Sequence, residues 1–396
     1  MTFEMQGIRR RRVAQFKELM QKRNLRAIVI SGNDNFQFFS NIQLGSHYWE
    51  RPFALVIPAD GEPFALLNMV SENGVLMQVE RQLAWVSDIS FYSELPRMLD
   101  RTYTAGQFTR MLQEGLEAAG LEGGAIGYDS RTAHLSEVAT LLPRIALTSV
   151  ASDLQRLRWV KHPEEIAILG AAASLGDWAI NKLRDNLTPG RGLQELSAHV
   201  TALVMEEAAR RHPGSNFQVL KLLTLSGPAS SSTDGDGAPT GAVIDANAPI
   251  VSVIVPRMNG YSVEVHRTYF CGKPTAEQKA LFETALQLNE SAISQTYARN
   301  RVSKIDEVVH LAALKAGHYD YLVHRAGHGI GISTHEYPED VPFNPRSIEE
   351  NEVFSLEPGL YVKGVGGFRI GDLVVAGSKP TVMTSAPKAL ADCIIN

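Results

Sequence analysis

Glu264 and His266 stand two residues apart in the stretch NGYSVEVHRTYF, residues 259–270. Alternation along a strand puts Ser262, Glu264, His266 and Thr268 on one face and Val263 and Val265 on the other. A carboxylate beside an imidazole can ligate a metal ion or move protons and attack a substrate without one. The same pattern also describes an ordinary half-exposed strand, so spacing alone does not choose. Two further segments carry groups of the same kind. HRAGHGIGISTHE contains His324, His328 and His335, and SLEPG contains Glu357. Imidazole changes charge near neutral pH, which makes His328 a candidate general base or acid. A carboxylate such as Glu357 can orient it, take a proton or stabilise a developing cation.

The elements that must position these groups fall into two parts. RRRRVAQFKELMQKRN reads as an amphipathic helix, LRAIVISG as a buried strand, and FALVIPADGEPFALLN as two strands joined by a Pro/Asp/Gly turn. A glycine-stopped helix and the strand AIGYD follow, so the first part is an α/β domain over residues 1–154. From residue 155 the rhythm changes to long helices followed by antiparallel strand patterns. Pro163, Glu164 and Glu165 mark a helix start, where a missing N–H costs nothing and acidic groups suit the dipole. The Ser/Gly-rich segment 226–241 is long enough to suggest an active-site loop.

The 396 residues are 44% hydrophobic and carry a formal net charge of −5, which gives no electrostatic reason to expect a nucleic-acid partner. The basic run Arg9–Arg12 opens a helical pattern and reads as a solvated face. Cys271 and Cys393 are too few for a disulfide framework or a thiolate metal cage. No apolar run approaches a membrane span, and the first residues are charged where a signal peptide needs an apolar core. A cytoplasmic location without membrane contact is the expectation.

From about residue 155 the chain resembles the creatinase/aminopeptidase P superfamily, on LRWVKHPEEIAIL, NGYSVEVHRTYF, HRAGHGIGISTHE, NEVFSLEPGLYV and GVGGFRIGDLVV in that order. NFQFFSNIQ in the first part resembles the family's smaller domain. The resemblance implies a creatinase-type, RNase H-like N-terminal domain over 1–154 and an α+β pita-bread catalytic domain over 155–396. It also implies five ligand positions for two metal ions. Three carry usable groups, Glu264, His328 and Glu357, whereas Val253 and Gly371 stand at the other two. Two divalent ions close together need several carboxylates to offset their repulsion. The metal-free creatinase branch, with ectoine hydrolase as a further analogy, is the nearest in site character. There the resemblance equates YWERPFA with a segment that reaches the neighbouring subunit's site, which would make Trp49 and Arg51 substrate-binding. It departs at Gly237, Glu339 and Gly371, where the branch has histidine, arginine and histidine.

The expectation is therefore a metal-independent, cofactor-free hydrolase of a C–N bond in a small polar compound, acting as a homodimer with composite active sites. His328, Glu357, Glu264 and His266 are the expected catalytic groups, with Glu264 as nucleophile or as the base that activates water. Trp49, Arg51, Tyr261, His324, His335, Glu339 and Arg369 are the expected substrate-binding groups. Arg51 would grip a substrate carboxylate, and Glu336, Glu339 and Asp340 would face a cationic or N–H-rich end. The alternatives are a metal-dependent Xaa-Pro aminopeptidase or dipeptidase, with Glu264, His266, His328 and Glu357 able to hold a single ion, and an inactive pita-bread binding protein.

Overall fold

The run Ala27–Ile30 has no polar residue and forms a strand (β1) buried along its whole length, as a central strand covered on both faces requires. In the computed structural model, which describes residues 5–45, 47–93, 104–233, 238–338 and 341–395, the chain divides into two units. One ends at Leu157 and the other runs from Arg158. The first unit contains α1 (Met5–Arg23), β1, α2 (Asn33–Ser40), β2 (Ala54–Pro58), β3 (Phe64–Asn68), α3 (Glu72–Glu80), β4 (Asp88–Tyr92), α4 (Thr104–Ala118), β5 (Gly123–Tyr128), α5 (Ala133–Leu141) and β6 (Arg144–Ser149). Its mixed sheet has the order β4-β3-β2-β1-β5-β6 among the described residues, and β1–β2 and β2–β3 are its antiparallel pairs. Val29, Val56, Leu66, Phe108, Leu112 and Ile126 pack into its core. The basic run is not wholly solvated: Arg12 is buried, stacks 3.9 Å from the centre of the Phe38 ring, and donates to the Phe38 carbonyl. A planar, weakly hydrated guanidinium tolerates such a place where an ammonium would not.

The division falls within α6 (Ala151–Trp159), and the second unit continues with the long helices α7 (Pro163–Asp185) and α8 (Leu193–Arg211). Pro163 opens α7, and Glu165 accepts from the His162 N–H at 2.9 Å, closing one end of the helix. Strands β7 (Phe217–Ser226), β8 (Pro249–Met258), β9 (Tyr261–Ser262) and β10 (Val265–Cys271) follow, then α9 (Ala276–Gln295) and α10 (Val302–Ala316). The chain ends with β11 (Gly327–Gly329), β12 (Val353–Leu356), β13 (Gly359–Val362), β14 (Gly366–Arg369), β15 (Asp372–Val375), β16 (Thr381–Val382), α11 (Leu390–Cys393) and β17 (Ile394–Ile395). One sheet has the order β17-β10-β8-β7 with β9 on β8, a second the order β11-β12-β15-β16, and β13 and β14 form a hairpin.

The continuous strand expected over 259–270 is broken between Ser262 and Val265. The facing residue on β8 is Pro256, which has no N–H to donate, and the Val263 N–H bonds its carbonyl at 3.0 Å. The polar face is not solvated either: Ser262, Glu264, His266 and Thr268 are all buried.

The two sheets meet where His266 and Gly371 exchange backbone hydrogen bonds, N–H to O, at 3.2 and 3.0 Å. Beneath this seam lies the buried Arg267 guanidinium. Nη1 donates to the carbonyls of His266 and Gly371, both at 2.8 Å, and Nη2 to Asp372 Oδ1 at 2.9 Å. Nε and Nη2 also reach the Ala386 carbonyl. Asp372 in turn accepts from Thr384 and Lys388, each at 2.7 Å. Removing one member of a buried pair leaves an uncompensated charge, at a cost of about 3–5 kcal/mol. Asp372→Ala should therefore lower the unfolding free energy by that order in urea titration, and an unchanged midpoint and slope would show that the seam does not depend on the pair.

Candidate active site

Glu264 lies in the break between β9 and β10, His266 on β10, His328 on β11, and Glu357 directly after β12. The Glu357 N–H bonds the Ala326 carbonyl at 2.8 Å, which ties its backbone to the segment entering β11. His328 pairs with Ser355 across β11–β12, and the Ser355 hydroxyl donates to Glu264 Oε2 at 3.2 Å. These constraints bring the four side chains together. His266 Nε2 lies 3.5 Å from Glu264 Oε2 and 3.3 Å from Glu357 Oε2. His328 Nε2 lies 3.5 Å from Glu264 Oε2 and 3.4 Å from Glu357 Oε1.

The Nδ1 atom of His328 lies 3.0 Å from the Gly329 carbonyl, which can only accept, so Nδ1 carries a proton and Nε2 faces the carboxylates. Burial pulls the His328 pKa down, but hydrogen bonding to Glu264 and Glu357 and their charges outweigh it and raise it. Burial likewise raises the carboxylates, and the imidazoles more than offset this, so that Glu264 and Glu357 are both held below the ordinary carboxylate range. Arg369 Nη1, 3.7 Å from Glu357 Oε2, adds to the effect on Glu357.

The cluster opens into a cavity of about 350 Å³. Val253 and Val255 form an apolar wall, and His324, His335, Arg325 and Arg369 line it with Lys221 and Thr233. The His335 ring stacks on His328 with centroids 3.9 Å apart, and its Nδ1 lies 3.2 Å from Arg325 Nη2. A guanidinium only donates, so the proton of a neutral His335 sits on Nε2. His324 Nε2 is 2.8 Å from the Tyr361 hydroxyl.

The structure thus gathers His324, His335 and Arg369 around the four expected catalytic groups. Tyr261 does not line this cavity; its hydroxyl donates to Glu165 at 2.8 Å, inside the domain. Glu336 is not offered to a substrate either. It is buried between Arg158 Nη2 at 2.5 Å and Lys161 Nζ at 3.0 Å, both from the LRWVKHPEEI segment. Trp49, 74% exposed, and Arg51, which pairs with Glu50 at 2.7 Å, belong to the first unit. Glu339, Asp340, Asp236 and Gly237 lie outside the described residues. Ser355, Tyr361, Arg325, Thr233 and Lys221 escape sequence reasoning. Only Ser355 left a signal, its alternation with Glu357 in SLEPG.

Glu264, His266 and Glu357 offer ligand atoms within 4.8 Å of one another, as do Glu264, His328 and the exposed His335. The Nε2 atoms of His266 and His328 are buried without a hydrogen-bond partner of ordinary geometry. Two imidazole nitrogens among carboxylate oxygens are a donor set that suits one divalent transition ion. Among the described residues the cluster has two carboxylates, and Val253, Val255 and Gly371 beside it carry no side-chain donor, while His335 stands next to His328 as a third imidazole.

Residues 167–378 match the model of metallopeptidase family M24, and residues 12–160 that of the creatinase/prolidase N-terminal domain. The chain is 26% identical to an Xaa-Pro dipeptidase of Lactobacillus helveticus, over 90% of this chain and 91% of the relative. It is 30% identical to a putative dipeptidase, YkvY, of Bacillus subtilis, over 61% of this chain and 65% of the relative. The X-Pro aminopeptidase structure from Thermotoga maritima superposes with a TM-score of 0.82 at 18% identity, covering 97% of this chain and 99% of that one. The architecture is accordingly a creatinase-type N-terminal domain followed by a pita-bread domain. These matches overturn the expectation of a metal-independent, creatinase-like hydrolase of C–N bonds other than peptide bonds. The matching family is one of metallopeptidases, and the relatives are dipeptidases. Val253 and Gly371 had favoured a metal-free site over a single ion on Glu264, His266, His328 and Glu357, and the fold brings those four groups together.

The Glu336 ion pairs bear on acid stability. Burial raises its pKa, but Arg158 and Lys161 outweigh this and bring it from 4.5 down to about 2. A folded-state value below the unfolded one stabilises fully above about pH 4.5, and the contribution disappears as pH falls toward 2. Its size is on the order of 3 kcal/mol. Glu336→Gln should lower stability at pH 7 and flatten the loss between pH 4.5 and 2, measured by denaturant unfolding at each pH. Parallel wild-type and variant curves would contradict this.

Proposed function

We propose, for a chain that belongs to metallopeptidase family M24, that it hydrolyses the peptide bond of a small peptide, a dipeptide with proline second above all. The observation that carries this is the buried pair of carboxylates and pair of imidazoles at the end of a cavity of about 350 Å³. A space of that size suits a dipeptide, not an unfolded chain.

The family's ion would be held by Glu264, His328 and Glu357, and when bound it would polarise the scissile carbonyl and lower the pKa of an attacking water. The chain's own residues do the rest. Ser355 holds Glu264, and the Gly329 carbonyl fixes the tautomer of His328, so neither group needs to reorganise during the reaction. Arg369 sits beside Glu357 and keeps it ionised. At the mouth, Lys221 and Arg325 attract the substrate's terminal carboxylate. His335, which lines the cavity with its proton on Nε2, can donate to the departing amine, which in an Xaa-Pro bond is a secondary amine.

The enzyme works as a homodimer in which Trp49 and Arg51 of one copy reach the cavity of the other. The support is the YWERPFA motif and the exposure of Tyr48 and Trp49, large aromatic groups on one short segment. His328→Ala would then lose its own cavity but still lend Arg51. Co-assembled with Arg51→Ala, half of the dimers are mixed, each with one intact site, and about a quarter of wild-type activity should return. No recovery, or an active monomer, would remove Arg51 from the site.

The reading itself is tested by offering Xaa-Pro and other dipeptides to the purified chain with Mn(II), Co(II) or Zn(II) supplied. Turnover is expected, and His328→Ala and Glu357→Gln should each lower it by about 10²-fold or more with the fold intact. Turnover of amides or guanidino acids but of no dipeptide would reject the peptidase reading.

A further inference from the structure

His266 occupies a place in the sheet that constrains both of its neighbours. It pairs with Val253 across β8–β10 and with Gly371 across the seam. Directly paired residues of antiparallel strands project to the same face, so the imidazole stands beside the Val253 side chain. On the other side it lies against Gly371 so closely that a Cβ added there would fall 2.5 Å from its Cδ2 and 2.8 Å from its Cγ. No side chain enters from position 371 while the ring keeps its place. Val253 meanwhile packs with Leu223, Leu225, Val251 and Val255 in an apolar cluster. The one polar group at this junction is therefore the imidazole. It is buried, its Nε2 has no hydrogen-bond partner, and that nitrogen lies 3.3–3.5 Å from an oxygen of each carboxylate.

We propose that His266 is itself a metal ligand and that the centre takes a single divalent ion, bound by two imidazoles and two carboxylates, His266, His328, Glu264 and Glu357. This rests on the peptidase reading above and specifies the ion's number and ligands. The charge balance supports one ion: the two carboxylates of the cluster among the described residues neutralise one divalent cation and have no charge left over for a second a few ångströms away. The ligand balance supports it as well, since four protein donors hold one ion and a fifth position stays open for water or substrate, as a catalytic centre requires. The mixed nitrogen and oxygen set favours zinc, iron, cobalt or nickel over magnesium, which prefers oxygen alone. Gly371 is then part of the site by its lack of a side chain, because it leaves the ring room to stand among the carboxylates.

The experiment reads metal binding directly, apart from activity. Metal-free full-length chain is titrated with Co(II), followed by visible absorption and by elemental analysis after desalting. One equivalent per chain is expected. His266→Ala, checked for folding by circular dichroism, should weaken binding by more than about 100-fold, since even partners that merely orient a ligand cost 10–100-fold. A readout independent of any variant is pulsed electron paramagnetic resonance of the Cu(II)-loaded chain, which counts coordinated imidazoles and should find two. Val253→Asp with Gly371→Glu should still not take two ions while His266 is present, and adding His266→Ser should allow the second. Two equivalents in the wild type, none at saturating Co(II), a single imidazole, or undiminished binding in His266→Ala would each overturn the proposal. Dipeptide turnover is scored separately, so two bound ions with turnover would reject this ligand set and leave the peptidase reading standing.

Discussion

The seam at which two sheets share one hydrogen-bonded pair, His266 with Gly371, is the constraint on which the rest of the catalytic domain depends. Neither sheet alone contains the site: β10 brings His266, and the sheet of β11 and β12 brings His328 and leads into Glu357. The Arg267 guanidinium makes the seam stiff by spending its donors on three carbonyls and one carboxylate, two of those carbonyls being the bridge residues' own. A buried arginine with most of its contacts directed at backbone is a positional device, since carbonyls cannot change rotamer. A lateral slip of one sheet would break several charge-assisted bonds at once.

That rigidity explains how two carboxylates tolerate burial side by side. An isolated buried carboxylate would take up a proton instead of staying ionised. Here Glu264 and Glu357 remain charged because each faces the same two imidazoles, and their charges in turn raise the His328 pKa. The arrangement is a preformed negative site whose charge is partly offset by the imidazoles packed against it. Fixed geometry matters more than strong individual contacts, because none of the four nitrogen–oxygen distances is as short as a good ion pair.

Much of this was legible in the sequence, and the parts that were not share a cause. Helix α7 was marked by Pro163 and two acids, and β1 by an unbroken apolar run, because local chemistry settles both. The assembly of Glu264, His266, His328 and Glu357 was legible through motif order alone, with no periodicity able to show that residues 264 and 357 would meet. Glu336 misled because a carboxylate next to His335 reads as part of the site. Its partners Arg158 and Lys161 lie about 175 positions earlier, and only the fold brings them together. Arg12 misled for the same reason, with Phe38 and Trp85 supplying a stacking surface that no local pattern announces. Tyr261 sits three residues before Glu264, an odd spacing that strand alternation already places on the other face, and its hydroxyl reaches Glu165 there.

The metal expectation failed differently, and its failure is instructive about substitution. Val253 and Gly371, taken one at a time, are losses of function, and two such losses read as the end of metal chemistry. The sheet register shows that they are not independent of each other or of His266. One is its partner across β8–β10, and the other is the residue whose missing side chain gives its ring room. A carboxylate at 371 and an imidazole at 266 would compete for one volume, so a site can hold one or the other but not both. With valine at 253 and no side chain at 371, the negative charge beside the imidazole of His266 comes from Glu264 and Glu357. The cluster that results keeps two imidazoles and two carboxylates side by side. Residues bonded across a seam have to be judged together, since what one position gives up decides what its neighbour can hold.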